Sequence, residues 1–152
     1  MSNEQRLFDV FGSIFLLSQK LQYITDDALS KHNLTTKQFL VLGAVDTVFD
    51  DPPSLNDVAT VLATSHQNVK QLAKQLEKKG FMEFQRDPRD RRKLLLATTQ
   101  QNHDFWDSHT EENTQFFREL FSTLTLDEVK ELQQLHNKLM TGFDKIYNEL
   151  RG

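Results

Sequence analysis

The stretch SLNDVATVLATSHQNVKQLAKQLEKKG, residues 54–80, decides the fold. Its apolar residues recur every three or four positions in two short runs, which predicts two amphipathic helices near 55–62 and 66–79. The apolar positions are Leu55, Val58, Ala59 and Leu62 in the first run and Val69, Leu72, Ala73 and Leu76 in the second. Only the turn 63–65 separates the two runs, so the pattern predicts a helix-turn-helix with one shared core.

A basic turn follows this helix pair. Residues 86–93, RDPRDRRK, carry five Arg or Lys side chains, and the flanking segments FMEFQR and KLLLAT are rich in Phe and Leu. We predict a β-hairpin over residues 81–98. A helix is the competing interpretation because Leu is a weak strand former, but Pro88 and the polar turn disfavour it. A helix-turn-helix followed by a basic hairpin is a winged helix, whose second helix can enter a DNA major groove while the hairpin reaches an adjacent groove.

The distribution of charge singles out the same segment. The chain has 152 residues and a net charge of −4, yet residues 62–98 carry nine basic and four acidic side chains, a net charge of +5. The segments on either side, 1–61 and 99–152, have net charges of −4 and −5. A basic segment between acidic ones indicates a polyanion-binding module on a scaffold that polyanions do not attract. A solvated charged surface is the alternative interpretation.

Long amphipathic helices flank the central module. Apolar residues at heptad-like spacing predict one helix from about Glu4 to Lys31 and another over 126–150, and residues 100–123 have the pattern of a single helix. The central module is too small to cover three long apolar stripes. We therefore infer that the terminal helices pack together across a dimer interface, with an intramolecular bundle as the alternative.

Cap residues indicate where the helices begin. A short polar side chain followed three residues later by a polar partner occurs at Thr35, Ser54, Ser65 and Thr125. The Thr35 and Thr125 pairs are formal capping boxes, and the Thr35 pair predicts a helix near 36–48. Gly12 is unfavourable inside the first helix by roughly 1 kcal/mol, and a close helix crossing would explain its presence.

The sequence lacks the signals of several functional classes of protein. No apolar run approaches the roughly 18 residues that a membrane span needs, and the start MSNEQRLFDV lacks the basic and apolar regions of a signal peptide. The absence of Cys excludes disulfides and thiol redox sensing. The His residues have no HExxH spacing, and no GxxxxGK or GxGxxG motif occurs. We therefore expect a cytoplasmic protein that is not an enzyme and has no catalytic residue, cofactor, metal site or membrane partner.

The second helix of the pair has a polar face opposite its apolar face. Gln and Asn can pair with adenine edges, and Lys can contact guanine or phosphate. Because residues near the helix N-terminus are best placed to reach bases, the candidates for base readout are Gln67, Asn68 and Gln71. The candidates for phosphate contact are Lys74, Lys78 and Lys79. A solvated helix face is the alternative interpretation.

With these features the chain resembles the MarR-type transcriptional regulators. The matching marks are the helix end LEKKG, the wing DPRDRR, the TT that opens the next helix, and the segment HNLTTKQFLVLGAV before the DNA-binding motif. The resemblance runs over nearly the whole chain. Two departures, Ala97-Thr98 in place of the usual Leu-Thr and the lack of the common Gly in TQQNHDFW, affect none of the expected DNA contacts.

The resemblance implies a mainly α fold with a small β-hairpin wing. A winged helix-turn-helix DNA-binding domain would occupy residues 35–99, and residues 1–34 and 100–152 would form a helical dimerisation region. Such proteins are homodimers that bind pseudo-palindromic operators on double-stranded DNA, usually as repressors, and many are released by a small aromatic or anionic effector. A transcriptional activator and a winged-helix dimer that serves as a protein-interaction module are the alternatives.

The resemblance also assigns residues to roles. In the wing of this family an Asp pairs with an Arg two positions on, and the Arg enters the minor groove; these roles fall on Asp90 and Arg92. The expected DNA-binding residues are Ser65, His66, Gln67, Asn68, Lys70, Gln71 and Lys74 in the recognition helix and Arg86, Arg89, Asp90, Arg91 and Arg92 in the wing. Relatives bind their ligand among the first, second and fifth helices, so the candidate pocket residues are Phe15, Tyr23 and Trp106. Core packing is the competing interpretation for the aromatic residues around Trp106.

Overall fold

The computed structural model describes residues 1–152 as seven helices and one two-stranded antiparallel sheet. The helices are α1 (Asn3–Ser30), α2 (Thr36–Thr47), α3 (Leu55–Val61), α4 (His66–Lys78), α5 (Gln100–Ser108), α6 (Thr110–Leu120) and α7 (Leu126–Arg151). The strands are β1 (Met82–Arg86) and β2 (Leu94–Thr98), paired with Met82 opposite Thr98. The predicted mainly α architecture, a winged helix-turn-helix with long helices at both ends, is confirmed.

One predicted helix is wrong. Residues 100–123 form two helices instead of one, because the chain leaves helical geometry at His109, where φ is −111° and ψ is 15°. The hydroxyl of Thr110 donates to the carbonyl oxygen of Asp107 at 3.0 Å, and such local side-chain bonds compete with the helical ladder. The other helices and the hairpin begin and end within one residue of their predicted bounds.

Helix N-termini are capped as the sequence indicates. At Thr35, Ser54 and Thr125 the cap side chain and the side chain three residues on exchange the two hydrogen bonds of a capping box. Ser65 accepts from the backbone N–H of Asn68 without the reciprocal bond. A capping box between Ser2 and Gln5, which the sequence reasoning missed, begins α1. Each cap satisfies backbone donors that the helix itself leaves unpaired.

The core lies between the helix-turn-helix and the hairpin. Val58 of α3, the residues Val69, Ala73 and Leu76 of α4, and Leu96 of β2 have no solvent exposure at all. Burying an apolar side chain of this size contributes roughly 1.5–3 kcal/mol. The rotation of α4 about its own axis is therefore set by its buried face, which leaves the opposite face to solvent.

The chain divides into two compact units, Met1–Phe105 and Trp106–Gly152. The first contains the entire buried core, and α6 and α7 in the second contain no buried residue. A Cβ atom added at Gly12 would meet no atom within 4 Å, so the helix crossing expected there does not occur within one chain. None of the seven helices combines the length and the apolar character that crossing a membrane requires.

The carboxylate of Asp26 joins the end of α1 to the start of α2. Its Oδ1 accepts the backbone N–H of Thr36 at 2.7 Å, while the Thr36 hydroxyl donates to the carbonyl oxygen of Gln22 at 3.3 Å. The hydrogen bond from the Thr36 N–H lowers the pKa of Asp26 below its ordinary value, with smaller effects from the Thr36 side chain and from Lys37. The bond thus favours the charged form of the carboxylate.

We expect Asp26→Ala to lower the free energy of unfolding by roughly 1 kcal/mol at neutral pH, as the loss of a helix cap does. Because the pKa of Asp26 is lowered in the folded state, this contribution is complete above the pKa of the unfolded chain and is lost as the pH falls through the lower, folded value. Urea denaturation at several pH values checks this. A difference between the two proteins that is the same at acid and neutral pH would contradict the assignment.

Candidate nucleic-acid interface

The first residues of α4 form an exposed polar surface. Ser65 caps the helix, and its hydroxyl accepts the N–H of Asn68 at 3.1 Å. The predicted DNA-contact residues Ser65, His66, Gln67, Gln71 and Lys74 are exposed, and Asn68 and Lys70 are half-buried. Gln67, Gln71 and Lys74 lie opposite the buried face formed by Val69, Ala73 and Leu76. Ser65 and His66 lie at the N-terminal end of the helix, where a recognition helix contacts bases.

The side chain of Asn68 makes a hydrogen bond within the turn between α3 and α4. Its side-chain nitrogen donates to the hydroxyl of Thr64 at 2.9 Å. Bidentate pairing with an adenine needs both the donor and the acceptor of the amide. Asn68 keeps its second N–H and its oxygen, but the bond to Thr64 restricts the orientation of its amide, whereas Gln67 and Gln71 make no such bond.

His66, the first residue of α4, is tied to the preceding helix. Its Nδ1 lies 2.7 Å from Oδ1 of Asn56 on α3. The sequence reasoning missed Asn56 because the two residues are ten positions apart, and only the turn geometry brings their side chains together.

The wing is a short loop held by its own side chains. The Arg86 guanidinium donates from Nη1 to the carbonyl oxygen of Arg91 at 2.8 Å, and the carboxylate of Asp87 accepts the N–H of Arg89 at 2.8 Å. The backbone N–H of Lys93 donates to the carbonyl oxygen of Asp90 at 2.9 Å. These bonds are local, so the loop can keep its shape while its basic side chains point into solvent.

Asp90 and Arg92 form the ion pair that the resemblance implies. Oδ1 of Asp90 accepts both the backbone N–H of Arg92 at 3.1 Å and its Nε at 3.4 Å. The Arg92 side chain remains 94% exposed, against 38% for Asp90. An exposed pair of this kind adds little stability. Its effect is to restrict the rotamers of Arg92 while leaving the terminal nitrogens of the guanidinium accessible.

The base of the wing is attached to the helix-turn-helix. The N–H of Leu96 donates to the carbonyl oxygen of Pro53 at 2.8 Å, and Ser54 and Leu95 form an isolated β-bridge. Farther along β2, the Thr98 hydroxyl donates to Oδ1 of Asp46 on α2 at 2.5 Å. The wing is therefore held in a defined position relative to α2 and to the start of α3. No sequence pattern pointed to Asp46.

Comparison with known proteins agrees with this geometry. A family model described as "MarR family" matches residues 32–93. The regulator MgrA of Staphylococcus aureus is 28% identical over 93% of this chain and 92% of its own length, and the Escherichia coli transcriptional repressor MprA is 24% identical over 86% of this chain and 74% of its own length. The structure of an Escherichia coli MarR mutant complexed with operator DNA has a TM-score of 0.74, with 23% identity over 91% of this chain and 99% of that one. Residues 32–93 thus match the MarR family, and the chain as a whole has the winged-helix fold of the MarR structure.

Two lysines at the C-terminal end of α4 have different surroundings. The Lys79 ammonium donates to the carbonyl oxygen of Asn33 and to Oε1 of Gln38, the latter at 3.1 Å. Gln38 is buried, and its amide nitrogen donates to Oε1 of Gln75 at 2.9 Å. Because the Lys79 ammonium already has two acceptors within the protein, a phosphate contact by Lys79 is less favoured, and it stays a prediction. Lys78 is exposed and keeps the role predicted for it.

The residues predicted to line a ligand pocket, Phe15, Tyr23 and Trp106, lie in two different units of the chain. On α1, Phe15 is 59% exposed and Tyr23 79% exposed, and eight residues of helix separate them by roughly 12 Å. The Phe15 ring packs edge-on against Phe11, with centroids 5.2 Å apart. Trp106 is half-buried in the second unit. The MarR-type effector site thus stays a prediction.

We expect Lys79→Ala and Lys78→Ala to separate a lysine with a structural role from a lysine that binds DNA. Lys79→Ala should lower the free energy of unfolding by about 0.5–1.5 kcal/mol, the net contribution of a hydrogen bond, because Oε1 of Gln38 loses the Lys79 ammonium and keeps only the Thr35 N–H. Lys78→Ala should change stability by less than about 0.5 kcal/mol while weakening binding to all DNA sequences alike. Urea denaturation and DNA titration of both variants check this. A Lys79→Ala protein as stable as the wild type would contradict the structural role.

Proposed function

We propose that the chain acts as a homodimeric repressor that binds a pseudo-palindromic operator and is released by a small aromatic or anionic ligand. The DNA-binding part of this proposal rests on one observation, that two sets of exposed side chains are held by the same core. A capped recognition helix exposes Gln67 and Gln71, and a wing anchored to the same core exposes an Arg92 that is already oriented. In this arrangement α4 reads the major groove while Arg92 enters the adjacent minor groove.

The charge distribution supports a selective interface. The basic segment 62–98 contains both the recognition helix and the wing, and the flanking segments are acidic. The phosphate backbone of DNA attracts the basic segment and repels the acidic segments. DNA binding outside the proposed interface is therefore disfavoured. In the wing, Asp90 orients Arg92 in advance, which lowers the entropy cost of inserting it into the groove.

Exposed apolar helix faces support the homodimer. The exposed residues on α1 include Leu7, Phe8, Phe11, Phe15 and Leu17, and those on α7 include Leu135, Leu139, Phe143 and Ile146. Contiguous apolar surface of this extent marks an interaction site. A second copy of the chain presents the same faces, and two-fold pairing would give two recognition helices for two half-sites. The role as a repressor is supported by the function of the relative MprA, and the release by a ligand is carried over from the family resemblance.

Fluorescence anisotropy with two labelled duplexes tests the proposal. One duplex is the DNA upstream of the chain's own gene, and the other is a scramble of equal length. We expect saturable binding to the first at two subunits per duplex, with a steep dependence on salt because phosphate contacts release counterions. Equal and weak binding to both, together with no sequence enriched from a random duplex pool, would contradict the proposal.

We expect Arg92→Ala to weaken operator binding by about 1–3 kcal/mol, the usual contribution of such a groove contact. Asp90→Ala should weaken binding less, because Arg92 remains but is no longer oriented. Glu83→Ala, which removes a negative charge from β1, is the matched control and should strengthen binding slightly. Titration of the three variants at one salt concentration checks this. Stronger binding by Asp90→Ala would show that Asp90 only reduces the positive charge of the wing.

We expect Phe143→Glu on α7 to dissociate the dimer. A buried Phe contributes roughly 1.5–3 kcal/mol to an interface, and a carboxylate at the same place adds a desolvation cost. Gln134→Glu on the opposite face of α7 adds the same charge and should leave the dimer intact. Sedimentation velocity measures both variants. A Phe143→Glu protein that is dimeric at the concentration at which the wild type is dimeric would contradict this interface.

A further inference from the structure

The imidazole of His66 is held between the two helices of the helix-turn-helix. It is the first residue of α4 and is exposed, and its Nδ1 lies 2.7 Å from Oδ1 of Asn56, the second residue of α3. Asn56 is exposed as well, so both side chains are accessible at the N-terminal end of the recognition helix. The bond leaves Nε2, the other ring nitrogen, without a hydrogen-bond partner in the chain.

The bond determines which ring nitrogen carries the proton. A neutral imidazole has one donor and one acceptor nitrogen, and an amide oxygen can only accept. With Oδ1 of Asn56 facing it, Nδ1 carries the hydrogen. Nε2 then has a lone pair and no hydrogen, and acts only as an acceptor. A histidine side chain in water prefers the opposite tautomer, so Asn56 reverses the hydrogen-bonding character of the atom that faces solvent.

We propose that Asn56 is a positioning residue that makes His66 a reader of exocyclic amino groups in the DNA major groove, namely N4 of cytosine or N6 of adenine. The proposal rests on the proposed function, since it requires α4 to enter the major groove. These two amino groups are the donors on the major-groove edges of the bases. At the same strand position guanine presents O6 and thymine presents O4, and both atoms are acceptors. Either base leaves the Nε2 lone pair without a donor and is therefore disfavoured at that position.

A phosphate contact is the other role open to an exposed histidine at this place. A phosphate oxygen is an acceptor, and so is Nε2 in the tautomer that Asn56 imposes, so the two repel each other while the ring is neutral. The charged side chains near His66 on α3 and α4 are engaged elsewhere or partly buried. Asp57 is bound in the capping box of α3, and Lys70 is half-buried one turn further along α4. The geometry therefore favours a base contact for His66.

Nitrogen-15 NMR of the free protein at about pH 8, where an ordinary histidine is neutral, tests the tautomer without DNA. The His66 ring signals are assigned by their loss in His66→Ala. We expect a protonated Nδ1 and an unprotonated Nε2 in the wild type, and a shift of the proton to Nε2 in Asn56→Ala. A wild-type His66 with its proton on Nε2 would overturn the proposal whatever the DNA measurements give.

Selection from a random duplex pool at the same pH then tests the readout. Wild type, His66→Ala, Asn56→Ala and the double variant are compared, with Gln67→Ala as the control for an unrelated contact. We expect one strand position per half-site at which the wild type prefers C or A over G or T by about fivefold or more. His66→Ala and Asn56→Ala should lose that preference, and the double variant should lose no more than His66→Ala does.

The outcomes separate this inference from the proposed function. If the wild type enriches a palindromic sequence and His66→Ala enriches the same sequence with the same preference at every position, the role of His66 is refuted and the DNA-binding function stands. If Asn56→Ala weakens binding equally to all sequences and keeps the preference at the His66 position, Asn56 contacts phosphate and does not position His66. If the wild type enriches no sequence, the proposed function fails and the inference with it.

Discussion

Burial of one face of α4 is the constraint on which the rest of the interface depends. Val69, Ala73 and Leu76 are completely enclosed against α2, α3 and β1, so the helix cannot turn about its axis without exposing them. Gln67, Gln71 and Lys74 lie on the opposite side for this reason alone. The polar surface proposed to read bases is thus positioned by apolar packing, and the polar residues themselves make few bonds that would hold the helix in place.

Charged side chains in this chain act mainly by orienting other groups. Asp90 restricts Arg92, Asp26 holds the start of α2, and Lys79 supports the buried Gln38. Of these three contacts, the exposed ion pair of Asp90 and Arg92 adds little stability. Together they hold the turns and loops around the core in one conformation, and exposed basic residues such as Lys74, Lys78, Arg89 and Arg92 remain available to a ligand. The count of basic residues therefore overstates the charge available to DNA.

The sequence predicted the elements well where the signals were local. Capping residues, apolar spacing of three and four residues, and the basic turn with Pro88 placed most helices and the hairpin to within one residue. The break at His109 was missed because no Gly or Pro marks it and the apolar pattern continues across it; the side-chain bond of Thr110 to a backbone carbonyl accompanies it. The partners of Lys79 were missed because Asn33 and Gln38 lie 46 and 41 positions away along the chain, and only folding brings them to its ammonium group.

The sequence by itself determined the class of fold, the family resemblance and the basic polar surface of the recognition helix and wing, because these follow from periodicity and composition along a continuous stretch. Only the tertiary structure decided which polar residues of that surface remain available. Asn68 is tied to Thr64, Lys79 to Asn33 and Gln38, and His66 to Asn56. Most of these partners are brought together by a turn or by helix packing, and no pattern along the chain encodes those distances.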